Sequence, residues 1–202
     1  MHSLDRGTRT TPVSQGLASG LARFFGNASV NEFGAGMGCY TDALRSAGVR
    51  IRGFDGADHI SDITRYLVSR ADLTKRFQKG RRDWVLCMEV AEHIPKQFEE
   101  TFLANIDAHN AKGVVLSWSP IVDGKGHVNP RPTSHVEHVL GKLGYVEDAA
   151  ASKALQESVS TWTWFKPVEN GDGGVRVYRR IPPPRSNVSP MSWLDWAATK
   201  FG

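Results

Sequence analysis

Three observations place this 202-residue chain in the α/β class, as a doubly wound, mostly parallel sheet with helices on both faces. Apolar, strand-like segments alternate with helical segments of about 10–15 residues, the mark of βαβ units. A glycine-rich stretch, Gly34-Ala35-Gly36-Met37-Gly38, follows directly on the first strand and opens a helix. An acid, Asp55, follows the second strand and precedes Gly56. Parallel crossovers are right-handed, so successive units cover both faces of the sheet.

The elements follow in order. Residues 1–14 are polar and predict a frayed start. Leu17, Leu21, Phe24 and Phe25 recur near helical spacing, and Gly26-Asn27 stops them, which predicts a helix over Gln15–Phe25. Ser29–Phe33 reads as a strand, residues 40–47 as a helix closed by Gly48, and residues 49–54 as a second strand. A weaker strand falls near residues 66–71, before Asp72. Residues 83–88 and 113–118 are clear strands, separated by a helix over 96–109; a further helix covers 133–143 and ends at Gly144. Beyond it, residues 149–159 look helical. Residues 161–165 are aromatic and β-prone, and Asn170-Gly-Asp-Gly-Gly174 turns the chain into a last strand, Val175–Arg180. Two strands joined by such a turn predict an antiparallel element at the sheet edge. Pro182-Pro183-Pro184 then breaks the fold, before a short amphipathic stripe of Trp193, Leu194, Trp196 and Phe201. The domain plan is a cover segment (1–29), one α/β domain (30–181) and a proline-rich tail (182–202).

Composition narrows the function. Hydrophobic residues make up 40% and charged residues 23%, ordinary for a globular protein. No window approaches the roughly 20 apolar residues that span a bilayer. The first residues lack an apolar secretory core, so a cytoplasmic location is expected. Cys39 and Cys87 form no CxxC pair, which points to reduced packing thiols rather than a zinc ribbon or redox dithiol. The net charge of +4 is concentrated in Lys75-Arg76, Lys79 to Arg82, and Arg179-Arg180 with Arg185, and reads as a solvated face.

The stretch Glu32-Phe-Gly-Ala-Gly-Met-Gly38 lies where an open α/β sheet binds its ligand. Its spacing is ExGxGxG. The dinucleotide fingerprint GxGxxG would need a glycine at position 39, which is Cys39. At these residues the chain resembles the class I S-adenosylmethionine-dependent methyltransferases. Glu32 to Gly38 matches their first motif, Asp55 their ribose-binding acid, and Ala71-Asp72-Leu73 the acidic turn near the adenine. Asp83-Trp-Val-Leu-Cys-Met-Glu-Val-Ala-Glu-His93 matches their fourth-strand motif. The likeness runs from about residue 30 to 145, with a weaker extension to 180.

The resemblance implies a Rossmann-like, seven-stranded sheet with an antiparallel edge strand, S-adenosylmethionine as cofactor, and in-line methyl transfer. It also implies roles. Glu32 would orient the amino group of the methionine part. The backbone of Gly34, Ala35, Gly36 and Gly38 would line the methionyl-ribose region. Asp55, with Gly56, would hold the ribose, and Asp72 and Leu73 would meet the adenine. Glu89 and Val90 would line the cofactor's side of the pocket. Read without the resemblance, Asp55 or Asp72 could each serve as a helix cap.

Methyl transfer from a sulfonium is largely a matter of positioning, and a general base matters only for a protonated acceptor. Three regions offer polar groups. Glu89-x-x-Glu92-His93 follows the fourth strand. A similar arrangement binds a divalent metal in ubiquinone-pathway O-methyltransferases, but the expectation here is a hydrogen-bonded turn without metal, with Glu89, Glu92 and His93 as the alternative ligand set. The loop from Ser117 to Asn129, made mobile by Gly124 and Gly126, supplies His127 and Asn129 as first choices for contacting the acceptor, with His93 beside them. His135 and His138 read as surface residues. Trp118, Trp162 and Trp164 could line an aromatic pocket, core packing being the expected role for at least two.

The chain is barely larger than a catalytic core, which favours a small-molecule acceptor at O, N or S. A nucleic-acid or protein substrate, docked on residues 75–82 and 179–185, is the alternative. It is weakened because Met88-Glu-Val-Ala stands where nucleic-acid amino-methyltransferases carry Asp/Asn-Pro-Pro-Tyr/Phe. A non-catalytic nucleotide-binding module is the third reading. Either a monomer or a homodimer is compatible with the sequence.

Overall fold

The computed structural model describes residues 13–161 and 163–181; the tail and its tryptophan stripe, and Trp162, lie outside them. Seven strands form one sheet: β1 Ser29–Phe33, β2 Arg50–Asp55, β3 Val68–Arg70, β4 Arg82–Cys87, β5 Asn110–Ser117, β6 Tyr145–Glu147 and β7 Val175–Arg180. Their spatial order is β3-β2-β1-β4-β5-β7-β6. β1 to β5 are parallel, whereas β7 runs antiparallel to both β5 and β6.

The side-chain alternation of the strands builds two cores. In β4, Val85 and Cys87 join Phe33, Val114, Leu116 and Phe102 on one face. Trp84 and Leu86 join Val30, Ile51 and Val115 on the other. The first face is covered by α4 (Glu99–Ala108) and α5 (Thr133–Lys142), through Leu103, Ile106, Val136 and Leu140. The second is covered by α1 (Gln15–Phe25), α2 (Cys39–Ser46) and α6 (Ala149–Glu157), through Leu17, Leu21, Leu44 and Leu155. The cover helix α1 therefore shares a core with the sheet. Ser14 caps it, its side chain accepting the Leu17 N–H.

Two expectations are corrected. The described residues of 161–165 form no strand: Thr163–Phe165 is a single 3-10 turn, and Trp162 lies outside the described residues. Strand β7 is also internal, inserted between β5 and the three-residue edge strand β6. The Asn170–Gly174 turn has another job. Asp172 Oδ1 accepts the Thr133 N–H at 3.0 Å, and Gly173 N–H reaches Thr133 Oγ1 at 2.9 Å, which caps α5 from a distant segment. The helix expected over 96–109 begins as a 3-10 turn, Lys96–Phe98, before α4. The short helix α3 (Ile60–Ile63) was not foreseen.

The chain proceeds outward from β1 to β3 on one side and from β4 outward on the other. The order therefore reverses between β1 and β4. In an open α/β sheet, the carboxyl ends of two such strands splay their loops apart and leave a ligand crevice.

Candidate active site

The loop after β1 owes its shape to glycine. Gly34, Gly36 and Gly38 have φ of +73°, +51° and +79°, a region costly for residues with a Cβ. At Gly34 a Cβ would also collide with Val90, so the loops after β1 and β4 touch across the crevice. Gly36 is different: a Cβ there would meet nothing within 4 Å, so its backbone faces open space.

Asp55 fixes this loop. Its Oδ2 accepts the Gly36 N–H at 2.8 Å and its Oδ1 the Ala57 N–H at 2.9 Å. Ala35 N–H meets the Phe54 carbonyl at 2.9 Å. Ala71 N–H bonds to the Asp55 carbonyl, and Gly56 lies against Ala71 and Asp72, so the turns after β2 and β3 stand side by side. Asp72 accepts both Thr74 N–H (3.0 Å) and Thr74 Oγ1 (2.6 Å), a local turn that holds its carboxyl below the usual range. Leu73 is buried in the core and its carbonyl accepts from Asn105.

Glu32, on the central strand β1, is 5% exposed. Burial pushes its carboxyl up to about 7, with a hydrogen bond from Thr41 opposing and the Asp55 charge adding to the rise. The Thr41 hydroxyl donates to Glu32 Oε2 from the first turn of α2, and Gly53 leaves room for it, since a Cβ there would strike that hydroxyl. Thr41 was missed in the sequence, where a threonine in an amphipathic helix carries no signal. Tyr40 was missed as well. Its hydroxyl accepts the Ser14 N–H, and burial together with the Glu32 and Glu89 charges drives it up to about 12.

Across the crevice, Glu89 sits at φ +56°, unusual for a residue with a side chain. Ser117 at the end of β5 holds it there: the Glu89 N–H donates to Ser117 Oγ, whose hydroxyl donates back to Glu89 Oε1, both at 2.8 Å. Burial and the neighbouring Glu92 push Glu89 up to about 7. Glu92 is fully buried, and no protein donor among the described residues meets either carboxylate oxygen with hydrogen-bonding geometry. Burial raises its pKa too; its own main chain, His127, the Ser119 main chain and the Glu89 carboxyl, close by but not placed for a hydrogen bond to it, oppose the rise.

The loop after β5 is tied down rather than loose. The Glu92 carbonyl accepts both Val128 and Asn129 N–H at 2.9 Å. Asn129, an expected acceptor contact, is 3% exposed and donates its side-chain amide to Glu99 Oε2 at 2.9 Å. Arg131 reaches the same oxygen at 2.7 Å, and His135 Nε2 meets Oε1 at 2.6 Å. Burial alone would raise Glu99, but these three donors hold it below the usual range. His135 is thus a partner in this clasp, not a free surface residue; His138 is exposed. Trp118 is core, stacked edge-on against Phe102 and His135, while Trp164 is 46% exposed.

The clasp brings His127 to His93, their ring centroids 5.1 Å apart. One ligand atom each from Glu92, His93 and His127 lie within 4.8 Å of one another. Of the foreseen residues, the structure thus gathers Glu32, Gly34, Gly36, Gly38, Asp55 and Gly56 on one lip of the crevice and Glu89, Val90, His93 and His127 on the other.

No protein-family model and no curated protein sequence matches the chain. Solved structures do. Magnesium protoporphyrin IX methyltransferase from Synechocystis PCC 6803, with bound SAM, is 15% identical, with 83% of this chain and 79% of that one covered and a TM-score of 0.60. A TehB-like SAM-dependent methyltransferase from Corynebacterium glutamicum is 14% identical over 83% and 88%, TM-score 0.58. The chain has the class I methyltransferase fold. The glycopeptide N-methyltransferase MtfA shares it at 13% identity over 84% and 91%, TM-score 0.57. In a fold of this kind the crevice between the loops after β1 and β4 is where a nucleotide ligand binds.

Proposed function

We propose that the chain is an S-adenosylmethionine-dependent methyltransferase acting on a small-molecule nucleophile at O, N or S. One observation carries the reading: a left-handed glycine loop, open above Gly36 and pinned by Asp55, stands at the switch point opposite Glu89. Asp55 keeps lone pairs free beyond its two backbone bonds, as a ribose diol requires. Glu32 supplies a buried carboxyl behind the loop for the cationic methionine end. The cofactor, when bound, supplies the activated methyl group.

The chain's own residues then position and exclude. Val90 against Gly34 closes one side of the crevice. Glu89, His93 and His127 form the acceptor's side. Glu89, poised near neutrality, can take a proton from an acceptor that arrives protonated. Asn129 acts through the clasp, by holding His127 in place.

The solved neighbours' names include a porphyrin and a glycopeptide, acceptors too different to choose between. The basic residues argue for a compact acceptor. Arg82 begins β4, and Arg179 pairs with Gly113 near the start of β5, so both lie at the strand ends opposite the glycine loop, while Lys75 is paired with Asp72. Arg179 and Arg180 are also engaged with Asp148 and Asp107. Among the described residues no helix is long and apolar enough to cross a membrane. The free thiols Cys39 and Cys87 fit a reducing compartment such as the cytoplasm. The test is a metabolite screen with methyl-labelled cofactor, read by mass spectrometry. Label transfer that is lost in His127→Ala, with cofactor affinity retained, supports the assignment; unaltered turnover in that variant overturns the acceptor side.

A further inference from the structure

We propose that Glu92, His93 and His127 form a binding site for one divalent cation of borderline softness, such as Zn²⁺, Co²⁺ or Ni²⁺. Three independent features of the cluster point to it. The first is proximity, one ligand atom from each residue falling within 4.8 Å of the other two.

The second is the state of Glu92. A fully buried carboxyl with neither oxygen hydrogen-bonded is costly unless something absent from the polypeptide satisfies it. Apolar burial of this position would have been met by an apolar residue. Here the acid is instead placed against two imidazoles.

The third is the second shell. His93 Nδ1 lies 2.9 Å from the Gly126 carbonyl and His127 Nδ1 lies 2.7 Å from the Ile121 carbonyl. A carbonyl only accepts, so each Nδ1 is the donor in these contacts, which leaves Nε2 as the ring atom available to ligate. Backbone carbonyls that fix the tautomer of ligating histidines in this way are a regular support of metal sites. The carbonyls that do so belong to the same loop that the Glu92 main chain grips through Val128 and Asn129. The site is thus built by the fold and not by two flexible surface histidines.

Two nitrogens and one carboxylate oxygen suit borderline transition ions better than Ca²⁺ or Mg²⁺, which take oxygen donors. Three protein ligands leave coordination positions open, as in catalytic rather than structural sites. Glu89 lies outside the set, because its carboxylate is bonded to Ser117. Its charge adds to the attraction for a cation. The open side adjoins the acceptor's half of the crevice. A cation there would offer Lewis acidity to an acceptor oxygen or nitrogen; that use rests on the methyl-transfer reading, whereas cation binding does not.

The test is calorimetric titration of the chelator-stripped full chain with Zn²⁺ alone, with Co²⁺ absorption as a second readout. One site per chain is expected. Glu92→Gln, His93→Ala and His127→Ala should each weaken it by at least about tenfold, and His138→Ala should leave it unchanged. S-adenosylhomocysteine titrated into the same variants, without metal, reports their folding and separately tests the cofactor reading. Loss of Zn²⁺ binding with nucleoside binding intact supports the site. Absence of a stoichiometric Zn²⁺ site, or equal affinity in His127→Ala, overturns it.

Discussion

Asp55 and Glu32 do their work by opposite means. Asp55 is spread over two backbone N–H groups and stays available to a further donor at the rim. Replacing it with Ala removes the tether of Gly36 and the ribose acceptor together, and should weaken S-adenosylhomocysteine binding by about 1.5–3 kcal/mol, read by calorimetry. Glu32 is sealed in, with its pKa raised to about 7. A raised acid binds a proton on folding. Its contribution to the stability of the ligand-free protein is therefore complete below its ordinary value of 4.5 and is lost as pH rises through about 7. The same titration favours a cationic ligand, whose affinity should climb between pH 6 and pH 8. Glu32→Gln should flatten both slopes, the first measured by thermal unfolding; unchanged slopes would assign the titration elsewhere. Gly34→Ala meets both a left-handed φ and the Val90 side chain, and should cost about 1–3 kcal/mol in unfolding experiments from backbone strain alone.

Elements were legible to the extent that they carried their own pattern. The helix Gln15–Phe25 and the strand Ser29–Phe33 match the expected bounds, because an apolar period of 3.6 or an apolar run next to glycine is a local signal. The strand expected at 161–165 rested on aromatic and β-branched content, which tertiary context overrode. The real edge strand, Tyr145–Glu147, has three residues, too few to show alternation. The loop after β5 was read from Gly124 and Gly126 as mobile, yet its order comes from Glu99, some 30 residues upstream, which no local reading could find. Glu99→Ala strips Asn129, Arg131 and His135 of their shared partner and should destabilise the fold by about 3 kcal/mol in urea titrations, with faster amide exchange over residues 119–131. Unaltered exchange there would show that the Glu92 carbonyl bonds suffice.

At the scale of the whole molecule, alternating elements led to the right architecture because right-handed crossovers leave few topologies open. The position of the crevice was legible too, since the glycine loop and the acid after the next strand mark one side of the reversal point. What the chain did not disclose locally is the other side: that Ser117 holds Glu89, that Thr41 backs Glu32, and that His93 and His127 meet. Those contacts join segments 9 to 34 residues apart, and only the sheet order β1-β4-β5 brings most of them together.

The most direct measurement is a competitive calorimetric titration of the full chain with S-adenosylhomocysteine and NAD. Saturable 1:1 binding of the sulfur nucleoside, weakened in Asp55→Ala and indifferent to NAD, is the outcome required by a methyl-donor crevice between β1 and β4. Binding of NAD alone, or nucleoside binding unaffected by Asp55→Ala, would contradict it.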